Sequence, residues 1–234
     1  LDNKLGGINL GKVDQDFVKQ SFEGAIDNYK QATENVGLWK SEEFMFNKYF
    51  EPDKRILDVG CGTGRTTFGL YRMGYTNLVG VDLTPRMIET AKQISKKEEL
   101  NIEFKQGDAT DLEFDDNSFA YALFSFNGLM QIPKPANRVK AMAEINRVLK
   151  PGGIFIFTTH DRNANENFLD FWREEKKRWE TGQQDDRLYE FGDRIADSKN
   201  ENRDIFIHIP DREEILSCLE EAGFQHVEDF YRDD

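Results

Sequence analysis

Three glycines stand at alternate positions directly after a short apolar stretch of the chain. The segment reads Asp58-Val59-Gly60-Cys61-Gly62-Thr63-Gly64, and it follows a predicted buried strand at residues 56–59. Glycine allows a sharp backbone turn and lets a ligand approach the peptide groups closely. A glycine turn between a strand and a helix therefore predicts a binding site for a cofactor that contains adenosine.

The spacing of these glycines separates the turn from two other nucleotide-binding loops. A dinucleotide fingerprint requires G-x-G-x-x-G, but Arg65 and Thr67 stand where its last glycine would be. A phosphate-binding P-loop requires Gly-Lys-Ser/Thr, which the turn lacks. An acid, Asp82, ends the next predicted strand, and its two oxygens can accept hydrogen bonds from both hydroxyls of a ribose. The spacing therefore argues against a nicotinamide-dependent oxidoreductase.

Strands and helices alternate from about residue 55 onward, which predicts a parallel sheet with right-handed crossovers. Helical periodicity dominates the preceding stretch, where a helix beginning near Ser41 is predicted to turn Phe44, Met45 and Tyr49 inward. The predicted divisions are an N-terminal helical cover (1–50), a core (51–160), an insertion (161–209) and a C-terminal helix and strand (210–234). The predicted strands are 56–59, 78–81, 102–104, 119–126, 154–157 and 225–231.

The insertion at 161–209 interrupts this alternation. It contains an amphipathic helix around residues 168–179 and a predicted hairpin that pairs residues 187–195 with residues 204–209. Because it follows the carboxyl end of a strand, it is expected to lie beside the ligand crevice of an open α/β sheet. The sequence therefore predicts a lid; the alternative is an insertion that stabilises the fold without contacting the ligand.

Four successive segments resemble the motifs of class I S-adenosylmethionine (SAM)-dependent methyltransferases, in the order and spacing of that family. They read ILDVGCGTGR, VGVDLTPRMIETAK, FKQGDATDLEFDDNSF and EINRVLKPGGIFIFTTH and cover about residues 55–160. The resemblance implies an α/β, Rossmann-like fold with a mostly parallel, doubly wound sheet, an N-terminal helical cover and a helix-plus-hairpin lid after the fifth strand. It also implies SAM as cofactor, S-adenosylhomocysteine (SAH) as product, and in-line methyl transfer to an O, N or C nucleophile.

The resemblance further implies roles for individual residues. It places the methionine portion of SAM against Asp58, Gly60, Cys61, Gly62 and Gly64. It places the ribose on Asp82, the adenine among Leu83, Met87, Asp108 and Ala109, and the sulfonium near Phe124 and Ser125.

Candidate residues for catalysis and substrate binding lie outside these cofactor positions. His160 ends the fifth predicted strand and is the candidate general base, because an unperturbed histidine has a pKa of about 6.5. Capping of the following turn is the alternative role for His160. Asp161 could orient this histidine or bind a substrate group. Weaker candidates in the predicted hairpin are Glu190, Asp193 and His208.

The sequence leaves two roles open for each of three residues near the glycine turn. Tyr29 and Trp39 precede the glycine strand and are either aromatic parts of a cover over the cofactor or members of the core. Arg65 opens the helix after the turn and either reaches the cofactor carboxylate or pairs with an acid.

Charge and composition narrow the partners of this chain. Its 234 residues carry a formal net charge of -13, which disfavours nucleic acid because phosphate backbones are bound by clustered Lys and Arg. It shows no apolar run long enough for a membrane helix, no signal segment and no Cys/His cluster, so a cytoplasmic location without a metal is expected. The expected acceptor is a small molecule; the alternatives are protein or tRNA methylation, or a non-catalytic SAM-binding module.

Overall fold

The computed structural model describes residues 11–198 and 203–232 of the chain. Its main sheet consists of β1 (Ile56–Val59), β2 (Leu78–Asp82), β3 (Glu103–Gln106), β4 (Phe119–Phe124) and β5 (Leu149–Phe157). All five strands are parallel and lie in the order β3-β2-β1-β4-β5. The strand order changes direction beside β1, where open α/β sheets bind ligands at the carboxyl ends of their strands. The predicted Rossmann-like fold is confirmed.

Helices cover both faces of this sheet and its carboxyl end. The N-terminal helices are α1 (Gln15–Glu23), α2 (Ile26–Asn35) and α3 (Lys40–Tyr49). The helices between and after the strands are α4 (Arg65–Arg72), α5 (Pro85–Lys97), α6 (Pro135–Val148), α7 (Leu169–Glu180) and α8 (Arg212–Glu221). A separate antiparallel hairpin pairs β6 (Asp193–Ser198) with β7 (Arg203–His208).

The local sequence explains why α5 begins and packs as it does. Thr84 precedes the helix in an extended conformation and Pro85 occupies its first turn, where the missing N–H costs nothing. Ile88 and Ala91 are buried in a cluster with Phe104 of β3, and Met87 is buried against Ile26 of α2. The two lysines in the last turn lie at the negative end of the helix dipole. This packing fixes the loop after β2, which carries Asp82.

The predicted inward face of α3 is wrong in one position. Phe44 is 57% exposed, whereas Phe46 is fully buried and stacks on Phe50 with ring centroids 5.2 Å apart. The helix is rotated because Glu42, a charged residue, turns inward one helical turn before Phe46 and is also buried. Counting apolar side chains could not anticipate a buried carboxylate on that face.

The predicted strand at residues 225–231 is also wrong. Residues 224–232 form no ladder, because no strand lies beside them within hydrogen-bonding distance among the described residues. Side chains hold this C-terminal segment instead, through the ion pairs Lys48–Glu228 and Arg212–Asp229. β5 is consequently an edge strand of the described sheet.

The hairpin in the insertion forms, but its first strand begins later than predicted. Residues 187–192 make a turn, since the carboxylate of Asp193 accepts hydrogen bonds from the backbone N–H groups of Tyr189 and Glu190. The connection at residues 199–202 and the first ten residues of the predicted N-terminal cover lie outside the described residues. No helix in the described ranges is both long and apolar enough to cross a lipid bilayer.

Candidate active site

A cavity of about 320 Å³ lies at the carboxyl ends of β1, β2 and β4. Ten of the residues predicted from the sequence line it: Tyr29, Gly60, Gly62, Asp82, Leu83, Met87, Asp108, Ala109, Phe124 and Ser125. Six others do not line it: Trp39, Asp58, Cys61, Gly64, His160 and Asp161. We call this space the cofactor cavity.

The glycine turn forms the floor of the cofactor cavity. Gly60 has φ +62°, a conformation that L side chains rarely adopt. A Cβ atom at this position would lie 2.3 Å from Cε2 of Phe124, which is closer than any real contact. The turn therefore brings bare backbone against the aromatic ring that ends β4.

Asp82 is held rigidly beside this turn. Its Oδ2 accepts a hydrogen bond from the Gly62 N–H at 2.9 Å, and its Oδ1 accepts one from the Thr84 N–H at 2.8 Å. Burial raises the pKa of Asp82, and the two backbone donors oppose that rise by favouring the carboxylate. Each oxygen keeps a second lone pair, so the side chain can accept from two neighbouring hydroxyls.

Asp58 lies behind the turn rather than in the cavity. Its Oδ2 accepts hydrogen bonds of 2.6 Å from the hydroxyls of Thr66 and Thr67, while its Oδ1 has no partner among the described residues. Burial raises the pKa of Asp58 to about 6. Cys61 is likewise buried and packs with Phe68 and Phe104, away from the cavity, so only its backbone belongs to the turn.

Asp58→Asn is expected to stabilise the protein near neutral pH. The pKa of Asp58 rises from 3.8 to about 6 on folding, so stability is fully present below pH 3.8 and is lost as pH rises through 6. The charged form costs about 1–3 kcal/mol at pH 7.5, which asparagine avoids. Urea unfolding should show the variant more stable than the wild type at pH 7.5 and equal to it at pH 4. A variant less stable at pH 7.5 would contradict this account.

The far end of the cofactor cavity is closed by α1. Asp108 accepts a 2.8 Å hydrogen bond from the Thr110 N–H through Oδ1 and a 2.5 Å bond from Nε2 of Gln15 through Oδ2. Gln15, Val18 and Phe22 line the outer side of the cavity. Residues of α1 thus line this cavity, and their role as a cover over a bound cofactor stays a prediction.

The hairpin supports α1 from behind. The Val13 N–H donates to the carbonyl of Arg187 at 3.0 Å, and the Tyr189 hydroxyl donates to the Val13 carbonyl at 2.8 Å. Val18 and Phe206 share a small apolar core between the two elements. No described residue of 161–209 lines the cofactor cavity, so the hairpin contacts α1 and does not contact the cavity itself.

Sequence reasoning missed Phe126 and Asn127, which follow β4. Both have left-handed φ values, +57° and +58°, although neither is glycine. Such conformations cost about 1–3 kcal/mol each and cluster at functional sites. Phe126 lines the cofactor cavity, stacks on Trp39 with centroids 5.3 Å apart and meets Tyr29 edge-on at 6.1 Å. The preference of asparagine for this conformation was the only sequence signal.

Arg65 pairs with an acid, which decides between its two interpretations. Its Nη2 lies 2.6 Å from Oε1 of Glu42, and its Nη1 donates to Oε2 at 2.7 Å. The guanidinium also lies over the Trp39 ring, with its carbon 4.8 Å from the centroid. Glu42 additionally accepts from the Trp39 N–H at 2.9 Å, so one carboxylate joins α3 to the helix after the glycine turn.

A second cavity of about 1220 Å³ runs along β5 and shares Ser125 with the cofactor cavity. His160 and Asp161 lie in its wall, together with Phe168, Phe171 and Trp172 of the insertion. Nε2 of His160 is 3.3 Å from Nδ2 of Asn127. Partial burial and the nearby positive charge of Arg232 lower the pKa of His160, so its ring is neutral and able to accept a proton at pH 7.

The structure gives other partners or another place to the four remaining candidates. Asp161 accepts a 2.5 Å hydrogen bond from the Tyr231 hydroxyl. Glu190, Asp193 and His208 line neither cavity and lie close together, with Asp193 and His208 buried.

The part of the chain that carries the sheet, the glycine turn and Asp82 is similar to proteins of known class. Residues 56–153 match the family described as a methyltransferase domain. The crystal structure of a SAM-dependent methyltransferase from Methanosarcina mazei is similar over 80% of this chain and 84% of that one, with TM-score 0.64 and 26% identity. The chain belongs to the class I SAM-dependent methyltransferases.

Similarity within this class extends over nearly the whole chain. It is 30% identical to the demethylmenaquinone methyltransferase of Staphylococcus carnosus over 93% of this chain and 88% of that protein. It is 34% identical to the demethylmenaquinone methyltransferase of Staphylococcus aureus over 74% of this chain and 68% of that protein. The protein is therefore an enzyme that transfers methyl groups from SAM.

Proposed function

We propose that the cofactor cavity binds SAM with its amino-acid portion on the glycine turn, its ribose on Asp82 and its adenine beside Asp108. The observation that carries this proposal is the pairing of bare backbone at Gly60 with a rigid double acceptor at Asp82. The cavity of about 320 Å³ falls within the range of small-molecule sites, which is roughly 300–1,000 Å³. The residues present thus fit the group that the family uses.

The unpartnered Oδ1 of Asp58 adds a negative charge behind the amino-acid end. It lies on β1 directly before the turn, where it favours an ammonium group on the other side. Leu83 and Met87 supply an apolar surface for a flat purine, and Ala109 offers a backbone amide at its edge. Cys61 contributes its backbone only.

The proposed acceptor is a small hydroxylated aromatic ring of the kind obtained by reducing a naphthoquinone. The two staphylococcal relatives carry the name demethylmenaquinone methyltransferase, which favours a small-molecule acceptor over protein or tRNA. Phe126 in the cofactor cavity and the insertion aromatics Phe171 and Trp172 in the second cavity provide flat apolar surfaces, and the two cavities share Ser125. The reduced form is required because a quinone ring is too electron-poor to attack a methyl group.

The chemistry needs alignment and one proton acceptor from the protein. SAM, when bound, supplies a methyl group on a positively charged sulfur that leaves readily. The walls around Ser125 hold the acceptor in line and exclude water, which is how such a site lowers the barrier. Neutral His160 takes the proton from the ring hydroxyl, so that the ring can attack. The bond from the ring carbon to methyl would form as the methyl–sulfur bond breaks. That carbon would then lose its proton to solvent, and His160 would return its proton to the ring oxygen.

The acceptor class can be tested by transfer of labelled methyl groups. Purified protein and methyl-labelled SAM are incubated with reduced demethylmenaquinone, with its oxidised form, and with tRNA and protein fractions. Label is expected only in the reduced quinol. Label in tRNA or protein would refute the acceptor assignment, and failure of SAH to bind would refute the cofactor assignment as well.

His160→Ala is expected to lower kcat/KM by about 100-fold, the low end for removal of a general base, without changing SAH affinity. The wild-type rate should rise with pH through a value below 6.5, because the pKa of His160 is lowered, and this inflection should vanish in the variant. Glu98→Gln, which changes an exposed acid that lines neither cavity, is the control. Unchanged turnover in His160→Ala would show that His160 only caps the turn.

A further inference from the structure

A group of five charged residues lies between the hairpin, α6 and α8. We call it the charge cluster, and its members are Arg138, Asp193 and His208, which are buried, and Glu190 and Glu214, which are partly exposed. At its centre His208 is fully buried, with Nδ1 2.8 Å from Oδ1 of Asp193 and Nε2 2.6 Å from Oε1 of Glu214. The ring is tightly enclosed, since a Cβ at Gly192 would lie 2.8 Å from its Cε1.

The two partners of His208 determine its charge. Both are carboxylates, which accept hydrogen bonds, so both ring nitrogens must donate and the ring is an imidazolium. Burial works to lower the pKa of His208, but the bonds to Asp193 and Glu214 outweigh it and the pKa is raised.

Charged and titratable groups face His208 and its partners from each neighbouring element. Arg138 of α6 lowers the histidine pKa, whereas Glu190 lies 3.6 Å from Nδ1. Arg162 pairs with Glu214 and also with Asp211, which stands at the start of α8. Cys218 of α8 also faces this region, and burial raises the pKa of its thiol.

The cluster reaches the wall of the cofactor cavity through Arg138. This side chain is only 2% exposed; its Nη2 pairs with Glu190, and its Nη1 donates to the carbonyl of Ile132 at 3.2 Å. Ile132 and Lys134 both line the cofactor cavity, and Lys134 has a left-handed φ of +71°. Arg138 therefore fixes the position of this strained wall, and its other partner, Glu190, belongs to the cluster.

We propose that Arg138 is a positioning residue for the cofactor cavity and that protonated His208 keeps it in place, so that cofactor affinity falls when His208 loses its proton. Loss of that proton leaves a ring nitrogen lone pair facing a buried carboxylate. The hairpin then shifts away from α8, and Glu190 moves with it and releases Arg138 from Ile132. The proposal rests on the assignment of the cofactor cavity to SAM.

A metal ion is the competing occupant of the same group. Glu190, Asp193 and His208 bring one ligand atom each within 4.8 Å of one another. The guanidinium of Arg138 already supplies a positive charge to Glu190, and both nitrogens of His208 are engaged. The arrangement therefore favours a proton on His208 over a metal beside it.

The test is calorimetric titration of the full chain with SAH between pH 6.5 and pH 8.5, in buffers of different ionisation enthalpy. Wild type is expected to lose affinity by about five-fold or more as pH rises, the low end for coupled sites, and to take up protons on binding at the upper pH. His208→Gln should bind weakly at every pH without that proton uptake. His226→Gln should behave like wild type, and the amino group of SAH contributes equally to all three proteins.

The outcomes separate this proposal from the assignment of the cavity. Tight SAH binding that does not change with pH, and takes up no proton, would overturn the role of His208 while leaving the cofactor assignment intact. Arg138→Lys keeps the charge but cannot bridge Glu190 and Ile132, so it should weaken SAH binding at every pH. Wild-type affinity in that folded variant would overturn the role of Arg138. If His208→Gln fails to fold, the wild-type proton uptake still decides the matter.

Discussion

Asp82→Ala should lower the affinity for SAH by about 100-fold or more, because hydrogen bonds to a charged acceptor contribute about 1.5–3 kcal/mol each. Two ribose hydroxyls lose their acceptor in this variant. The N–H groups of Gly62 and Thr84 also lose theirs, so the turn itself becomes less rigid. Calorimetric titration with SAH measures the change.

Glu103→Ala serves as the matched control for Asp82→Ala. Glu103 is an exposed acid on β3, the neighbouring strand, and pairs with Lys105 at the surface. The Glu103→Ala protein should bind SAH like wild type. The SAH affinity of Asp82→Asn, which keeps one acceptor oxygen, should lie between the affinities of Asp82→Ala and Glu103→Ala. A folded Asp82→Ala protein with wild-type affinity would refute the placement of the ribose.

Glu42→Gln should lower the free energy of unfolding by about 3–5 kcal/mol, the usual cost of removing one partner from a buried ion pair. Arg65 would keep its charge with only 8% of its surface exposed and without a carboxylate. The Trp39 N–H would also lose its ionised acceptor at the start of α3. Denaturant unfolding at neutral pH measures the effect.

Glu98→Gln is the control for the ion-pair prediction. Glu98 pairs with Arg72, and both side chains are largely exposed, where ion pairs contribute little. Its unfolding curve should overlay that of wild type. Equal destabilisation by the two substitutions would mean that burial of the Glu42–Arg65 pair is unimportant to stability.

Much of the cofactor cavity could be predicted because its signals are local. The glycine spacing and Asp82 lie within a single strand-turn-helix-strand unit, where chain direction alone brings them together. The place of Asp58 in the sequence was not enough to predict where its side chain points. Its side chain points behind the turn because Thr66 and Thr67 offer it hydroxyl donors there.

The remaining features depend on partners that are distant in sequence. Glu42 is buried because Arg65 lies opposite it, and Phe44 is therefore exposed. A strand at residues 225–231 would need a neighbouring strand, which apolar alternation does not provide. The left-handed conformation of Phe126 is set by surrounding contacts and has no sequence signal, whereas asparagine at position 127 is only a weak one. The sequence suggested only a weak catalytic candidate in His208, because its bonds to the carboxylates of Asp193 and Glu214 depend on the fold.

The support of α1 by the hairpin has a consequence for biosynthesis. Val13 and Tyr189, which join the two elements, are 176 residues apart in the chain. Contacts of such long range form only after the intervening chain has been made, and their closure slows folding. A nascent polypeptide emerging from the ribosome would therefore expose the glycine turn before α1 is supported, and SAM could be retained only after the hairpin has been synthesised.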